Sequence, residues 1–167
     1  YGMIYNMDSL ERLGISKPPE HWWDLMDPRL LGEVAVCDPT KSGSITQAFE
    51  MIIQQQMQLE FKRLKSQGLS AEQAEREAIR TGWASGMRLI KRISGNARYF
   101  TDSSMKPSID VSLGQAAVGM TIDFYGQFQV ESIENRSYRQ RLGFVTPVGG
   151  TTISADPISL LRGAPNR

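Results

Sequence analysis

Two short stretches of this chain are apolar almost without a break: Val34-Ala35-Val36-Cys37, within Glu33–Asp38, and Ala116–Ile122. A strand with one wet face alternates polar and apolar residues. An unbroken run this short reads instead as a strand covered on both faces. Each run is followed by turn residues and then by a helical pattern. Strand followed by helix, repeated along the chain, points to the α/β class. The expected architecture is a single lobe with a mostly parallel mixed sheet covered by helices on both faces.

Other segments fit that frame. Residues 1–6 read as a strand, and Asp8 with Glu11 fits a capping box opening a short helix to Gly14. Glu20–Met26 reads as a short helix stopped by Asp27-Pro28. A long helical pair then fills 46–94. Ile45, Ala48, Phe49, Ile52 and Ile53 stripe its first helix, which Gly68 ends. Ser70 and Gln73 cap the second, with Ala71, Ala74, Ala78, Met87, Ile90 and Ile93 as its expected inner stripe. Further on, Ala97–Thr101, Leu142–Val145 and Thr151–Ser154 read as strands. Pro107–Gly114, Asp123–Glu134 and Ile158–Leu161 read as helical. A length of 167 residues with no internal repeat fits one domain, 1–167.

Composition excludes several functions. Lys and Arg number 19 against 18 Asp and Glu, a balance that gives no electrostatic case for nucleic acid or an anionic membrane. No apolar stretch is long enough to insert into a membrane. The single cysteine, Cys37, sits in an apolar run and reads as a buried hydrophobe. The single histidine, His21, reads as a surface or capping residue. Trp22-Trp23 reads as a packing anchor. The charged outer face of the helical pair, with Glu60, Lys62, Arg63, Glu72 and Arg76, reads as solvated. Zinc-ligand spacing, a G-x-S-x-G elbow, a Walker A loop and a G-x-G-x-x-G loop are all missing, so no catalytic residue and no cofactor is expected.

The segment Asp38-Pro39-Thr40-Lys41-Ser42-Gly43-Ser44-Ile45-Thr46 joins a buried strand to a long helix. Free N–H groups at a helix start favour an anion, and Ser42, Ser44 and Thr46 add hydroxyls around Gly43. The same residues also fit a plain helix cap, and the residues alone leave both readings open. Two more polar turns follow strands: Asp102-Ser103-Ser104 and Asp123-Phe124-Tyr125-Gly126. In open α/β sheets ligands sit beyond the carboxyl ends of strands, so these three loops are expected to converge.

Several segments resemble a known family. Pro19-Glu20-His21-Trp22-Trp23-Asp24-Leu25-Met26-Asp27-Pro28 is similar to the P-x-x-W-x-D-L-x-D-P stretch of extracytoplasmic solute-binding proteins of ABC importers. Gly32 through Asp38-Pro39 and Ser42-Gly43-Ser44 resembles their strand and D-P-x-x-S-G-T loop. Val111-Ser112-Leu113-Gly114-Gln115-Ala116-Ala117-Val118-Gly119 looks like their V-x-x-G-E-A segment, with Gln115 in place of Glu. Val148-Gly149-Gly150-Thr151-Thr152 and Asp156–Asn166 resemble the return crossover. The ferric-iron-binding branch of the type 2 periplasmic-binding fold is the nearest.

The resemblance implies the second lobe of a two-lobe binding protein, with 1–6 and 151–155 as hinge crossings and the first lobe outside this chain. The opening at Tyr1 and the closing loop at Arg162–Arg167 agree with an excised lobe. It implies a periplasmic or cell-surface location and an anionic compound, ferric iron or an iron complex as ligand. Its partners are then that ligand, the first lobe and a transporter permease. The expected ligand-binding residues are Ser42, Gly43, Ser44, Thr46, Ser103, Ser104, Asp123 and Tyr125. Iron-binding members carry two adjacent tyrosines where this chain has Phe124-Tyr125. Tyr125 alone is thus left as a metal ligand should the solute be ferric iron, and one phenolate is a poor ferric site. The alternative is the effector-sensing domain of a transcription regulator, which shares the fold.

Overall fold

In the computed structural model the described residues are 1–132, 141–153, 159, 162 and 163. The strands are β1 (Gly2–Asn6), β2 (Val34–Cys37), β3 (Ala97–Thr101), β4 (Val118–Thr121) and β5 (Leu142–Val145), in one sheet of order β3-β2-β4-β1-β5. β2 pairs in parallel with β3 and β4, while β1 is antiparallel to both β4 and β5. So β1 alone runs against the other four, and the sheet is mixed with one dominant direction, as expected.

Alternation along the strands divides the core. Met3, Val34, Val36, Val118 and Met120 join Ile45, Ala48, Ile52, Leu89 and Ile93 on one side. Ile4 and Ala35 join Val111, Ala116 and Phe144 on the other. The long helices α2 (Gly43–Ser66) and α3 (Ala71–Asn96) cover the first face. The short helix α4 (Lys106–Ser112) and α5 (Asp123–Ser132) cover the second. Both faces are therefore buried, which is why β2 and β4 carry no polar alternation.

Some local expectations need correction. The first helix, α1 (Met7–Arg12), is capped by Asn6, whose side chain accepts from the N–H groups of Asp8 and Ser9, and not by Asp8. Asp8 and Glu11 point instead at Arg141. The inner stripe of α3 is also rotated. Ala74, Ala78, Gly82, Gly86, Leu89 and Ile93 are buried, whereas Met87 and Ala71 are exposed. The reason is a close crossing of the two helices. A Cβ on Gly86 would lie 2.6 Å from the Ile53 Cα, and one on Gly82 would strike the Met57 backbone. Glycine carries no hydrophobic signal, so a pattern of apolar side chains misses the contact. Residues 151–153 form no strand, and both sides of β1 are already taken by β4 and β5. Ser154 and Ile158, Leu160 and Leu161 of the expected last turn lie outside the described residues.

Cys37 and Trp22 are wholly buried, as expected, and burial pushes the Cys37 thiol pKa up, away from a reactive thiolate. His21 stacks on Trp23 with ring centroids 4.0 Å apart. No helix among the described residues is long and apolar enough to cross a membrane.

Candidate functional site

Strand direction defines two edges of the sheet. The carboxyl ends of β2, β3, β4 and β5 share one edge, and because β1 runs the other way, its start at Tyr1 joins them. The three polar turns after β2, β3 and β4 all leave from this edge. Two contacts tie them to the strands: the Asp38 N–H donates to the Thr101 carbonyl at 2.8 Å, and the Thr121 hydroxyl donates to the Ser104 carbonyl at 3.2 Å.

A cleft of about 340 Å³ opens here, lined by Tyr1, Ser44, Asp123, Phe124, Thr146 and Thr151, together with Ile122, Thr152 and Ile153. Ser44 comes from the first turn of α2 and Asp123 from the start of α5. The Asp123 carboxylate accepts from the Phe124 N–H at 2.9 Å, so one oxygen is used locally. The Phe124 ring is exposed and meets Tyr125 edge-on, with centroids 5.5 Å apart. The Tyr1 hydroxyl donates to Gln47 Oε1 at 2.5 Å, which orients the ring at the mouth. The Thr151 hydroxyl oxygen is enclosed and has no hydrogen-bond partner. An enclosed polar group in that state costs about 1–3 kcal/mol, so a ligand hydroxyl that met it would be favoured.

Of the residues expected to bind ligand, the structure brings Ser44 and Asp123 into the cleft. Ser42 is the N-cap of α2 and accepts from the Ile45 N–H at 3.5 Å, with Gly43 opening the helix. The Thr46 hydroxyl donates to the carbonyls of Pro39 at 2.7 Å and Ser42 at 3.1 Å. These hydroxyls hold the turn itself. Ser103 accepts from the Met105 N–H, and Ser103 and Ser104 follow β3, the edge strand farthest from β5, so they lie outside the cleft lining. Tyr125 is half-buried and also outside the lining. Among the described residues no three His, Cys, Asp or Glu side chains gather to hold a metal. Reading from sequence missed Tyr1, Phe124, Thr146, Thr151 and Thr152. Only the antiparallel placement of β1 brings Tyr1 and Thr146 to this edge.

A larger hollow, about 880 Å³, lies at the opposite edge under residues 15–30, where β4 begins at Val118. Three of its charged groups, Asp24, Asp27 and Arg29, are already engaged within the protein. Asp24 accepts from the N–H groups of Glu20 and His21, each at 2.8 Å. Arg29 binds Asp27 and the Gly14 carbonyl. Groups already paired have little to offer a ligand, so we assign the smaller cleft.

The model of the bacterial extracellular solute-binding protein family matches residues 1–166, and the chain belongs to that family. An uncharacterised protein of Haemophilus influenzae is 28% identical over 165 residues, which is 99% of this chain and 39% of the relative. The periplasmic binding protein AfuA of Actinobacillus pleuropneumoniae, solved with exogenous fructose-6-phosphate, is 26% identical. It aligns with a TM-score of 0.63 over 90% of this chain and 37% of its own. The spermidine/putrescine-binding protein PotD of Streptococcus pneumoniae is 17% identical, with a TM-score of 0.54 over 90% of this chain and 36% of its own, and shares the fold. The chain thus spans well under half the length of these relatives. The family is one of extracellular solute-binding proteins, not enzymes, and its match gives no support to a transcription regulator.

Proposed function

We propose that the chain is one ligand-binding lobe of a two-lobe extracytoplasmic solute-binding protein, which delivers a small solute to the permease of an ABC importer. The observation that carries this reading is the cleft at the carboxyl edge. It holds an enclosed, unpartnered hydroxyl and is lined by residues of this lobe alone. The relatives' greater length supplies a source for the other wall. Tyr1 and Thr151–Ile153 line the same cleft, which fits 1–6 and 151–155 as the two passages to the other lobe. An inserted lobe needs its ends close together. Ligand bound between the lobes favours the closed form by its greater affinity for it, and the closed form docks on the permease. Such a protein works outside the cytoplasm.

The ligand we propose is a phosphorylated sugar, by likeness to AfuA with its bound fructose-6-phosphate. Ser44 and Asp123 contact it in this lobe, Ser42, Gly43 and Thr46 shape the turn that presents Ser44, and Ser103, Ser104 and Tyr125 flank the site. Ferric iron is disfavoured because Phe124, not a second tyrosine, stands beside Tyr125, and among the described residues no three His, Cys, Asp or Glu side chains gather. Calorimetric titration of the full two-lobe protein with fructose 6-phosphate tests the reading. Saturable heat accompanied by a smaller radius of gyration in solution scattering is expected. No binding of any phosphorylated hexose would contradict it.

A further inference from the structure

We infer that this lobe grips the uncharged, hydroxylated body of the ligand, with the exposed ring of Phe124 as the surface on which a sugar ring lies. The inference rests on the reading of a sugar-binding cleft and adds which part of the ligand this wall takes.

Three observations carry it. First, Phe124 is 68% exposed although it stands inside a concave site, while its neighbour Gly126 packs against Phe144. The fold therefore leaves the Phe124 ring out of the core. Its edge contact with Tyr125 and the bond from its own N–H to Asp123 hold it in place. An aromatic face amid a few polar groups suits the C–H face of a pyranose or furanose.

Second, the polar lining is made of hydroxyls: Ser44, Thr146, Thr151 and Thr152. A hydroxyl both donates and accepts, which matches the hydroxyls of a polyol. The enclosed, unpartnered oxygen of Thr151 lies among them.

Third, among the described residues no Lys, Arg or His side chain lines the cleft, and its one ionised side chain is the Asp123 carboxylate. A carboxylate only accepts, so it welcomes sugar hydroxyls and repels a phosphate. With no cationic side chain among the described lining residues, we assign the phosphate to the other lobe. A lone carboxylate with one oxygen already bonded is also a thin site for a polyamine.

The test uses the full two-lobe protein and titration with fructose 6-phosphate and putrescine. Phe124→Ala should weaken fructose 6-phosphate about tenfold, with Phe124→Trp restoring it. The exposed ring makes the variant safe for folding, and an unchanged melting temperature checks this. Thr151→Val should weaken the sugar severalfold without lowering stability. If wild-type protein binds the sugar and Phe124→Ala binds it equally well, the stacking assignment is overturned while the sugar-binding reading survives. If wild-type protein binds putrescine and not the sugar, both fall.

Discussion

The two edges of the sheet are built from similar material and finished differently. At the amino edge the chain closes on itself. Asn96 donates to the carbonyls of Leu25 at 2.9 Å and Asp27 at 2.8 Å, and its own carbonyl accepts from the Gly32 N–H at 3.0 Å. Asn6 caps α1, and Arg141 bonds both Asp8 and Glu11. Exceptions remain there in the enclosed Trp22 indole N–H and one Glu33 oxygen. At the carboxyl edge the hydroxyls of the first turn serve the turn, but Thr151 is left without a partner and Phe124 without cover. One edge spends its polar groups on stability, and the other keeps them for a guest. Substitutions at the two edges should therefore separate into losses of stability and losses of binding.

The largest effect on stability should come from Asn96→Ala. It removes two hydrogen bonds from a buried side chain, to the carbonyls of Leu25 and Asp27. A loss of about 2 kcal/mol in urea unfolding is expected, with the ligand affinity of the folded protein unchanged. A tenfold loss of affinity instead would show that the edges are coupled and break the comparison.

A smaller effect concerns pH. The backbone N–H of Arg141, together with its guanidinium, holds the Asp8 carboxyl below its ordinary pKa, and the guanidinium does the same for Glu11. Carboxylates depressed in the folded state add stability that is present above the ordinary range, near pH 4–4.5, and lost as pH falls through the lower folded values. Arg141→Ala should leave a shallower acid limb in a plot of stability against pH. Asp8 retains the backbone donor of residue 141 at 3.0 Å, so part of its depression should persist. These groups are exposed and the change at neutral pH should be slight. An acid limb identical to wild type would show that the pairs do not couple folding to protonation.

Much of the fold was legible because short covered strands and well-capped helices leave local marks. Val34–Cys37 has no room for polar alternation, and Ser70 with Gln73 marks the start of α3. What failed was non-local. The close approach at Gly82 and Gly86 depends on residues defined by what they lack. The α1 cap fell to Asn6 because Asp8 and Glu11 are engaged by Arg141, more than a hundred residues away in sequence. In the site, Ser44 and Asp123 could be found because each follows a strand and opens a helix. Tyr1, Thr146 and Thr151 could not, since nothing local says that β1 runs against its neighbours.

Amide chemical-shift mapping of the full two-lobe protein, titrated with a phosphorylated hexose, tests the division of labour between the edges most directly. The account predicts saturable shifts at Ser44, Asp123, Phe124, Thr146, Thr151 and Thr152, with Asp24, Arg29 and Asn96 at the other edge unmoved. Shifts centred on the hollow under residues 15–30, with the carboxyl edge silent, would contradict it.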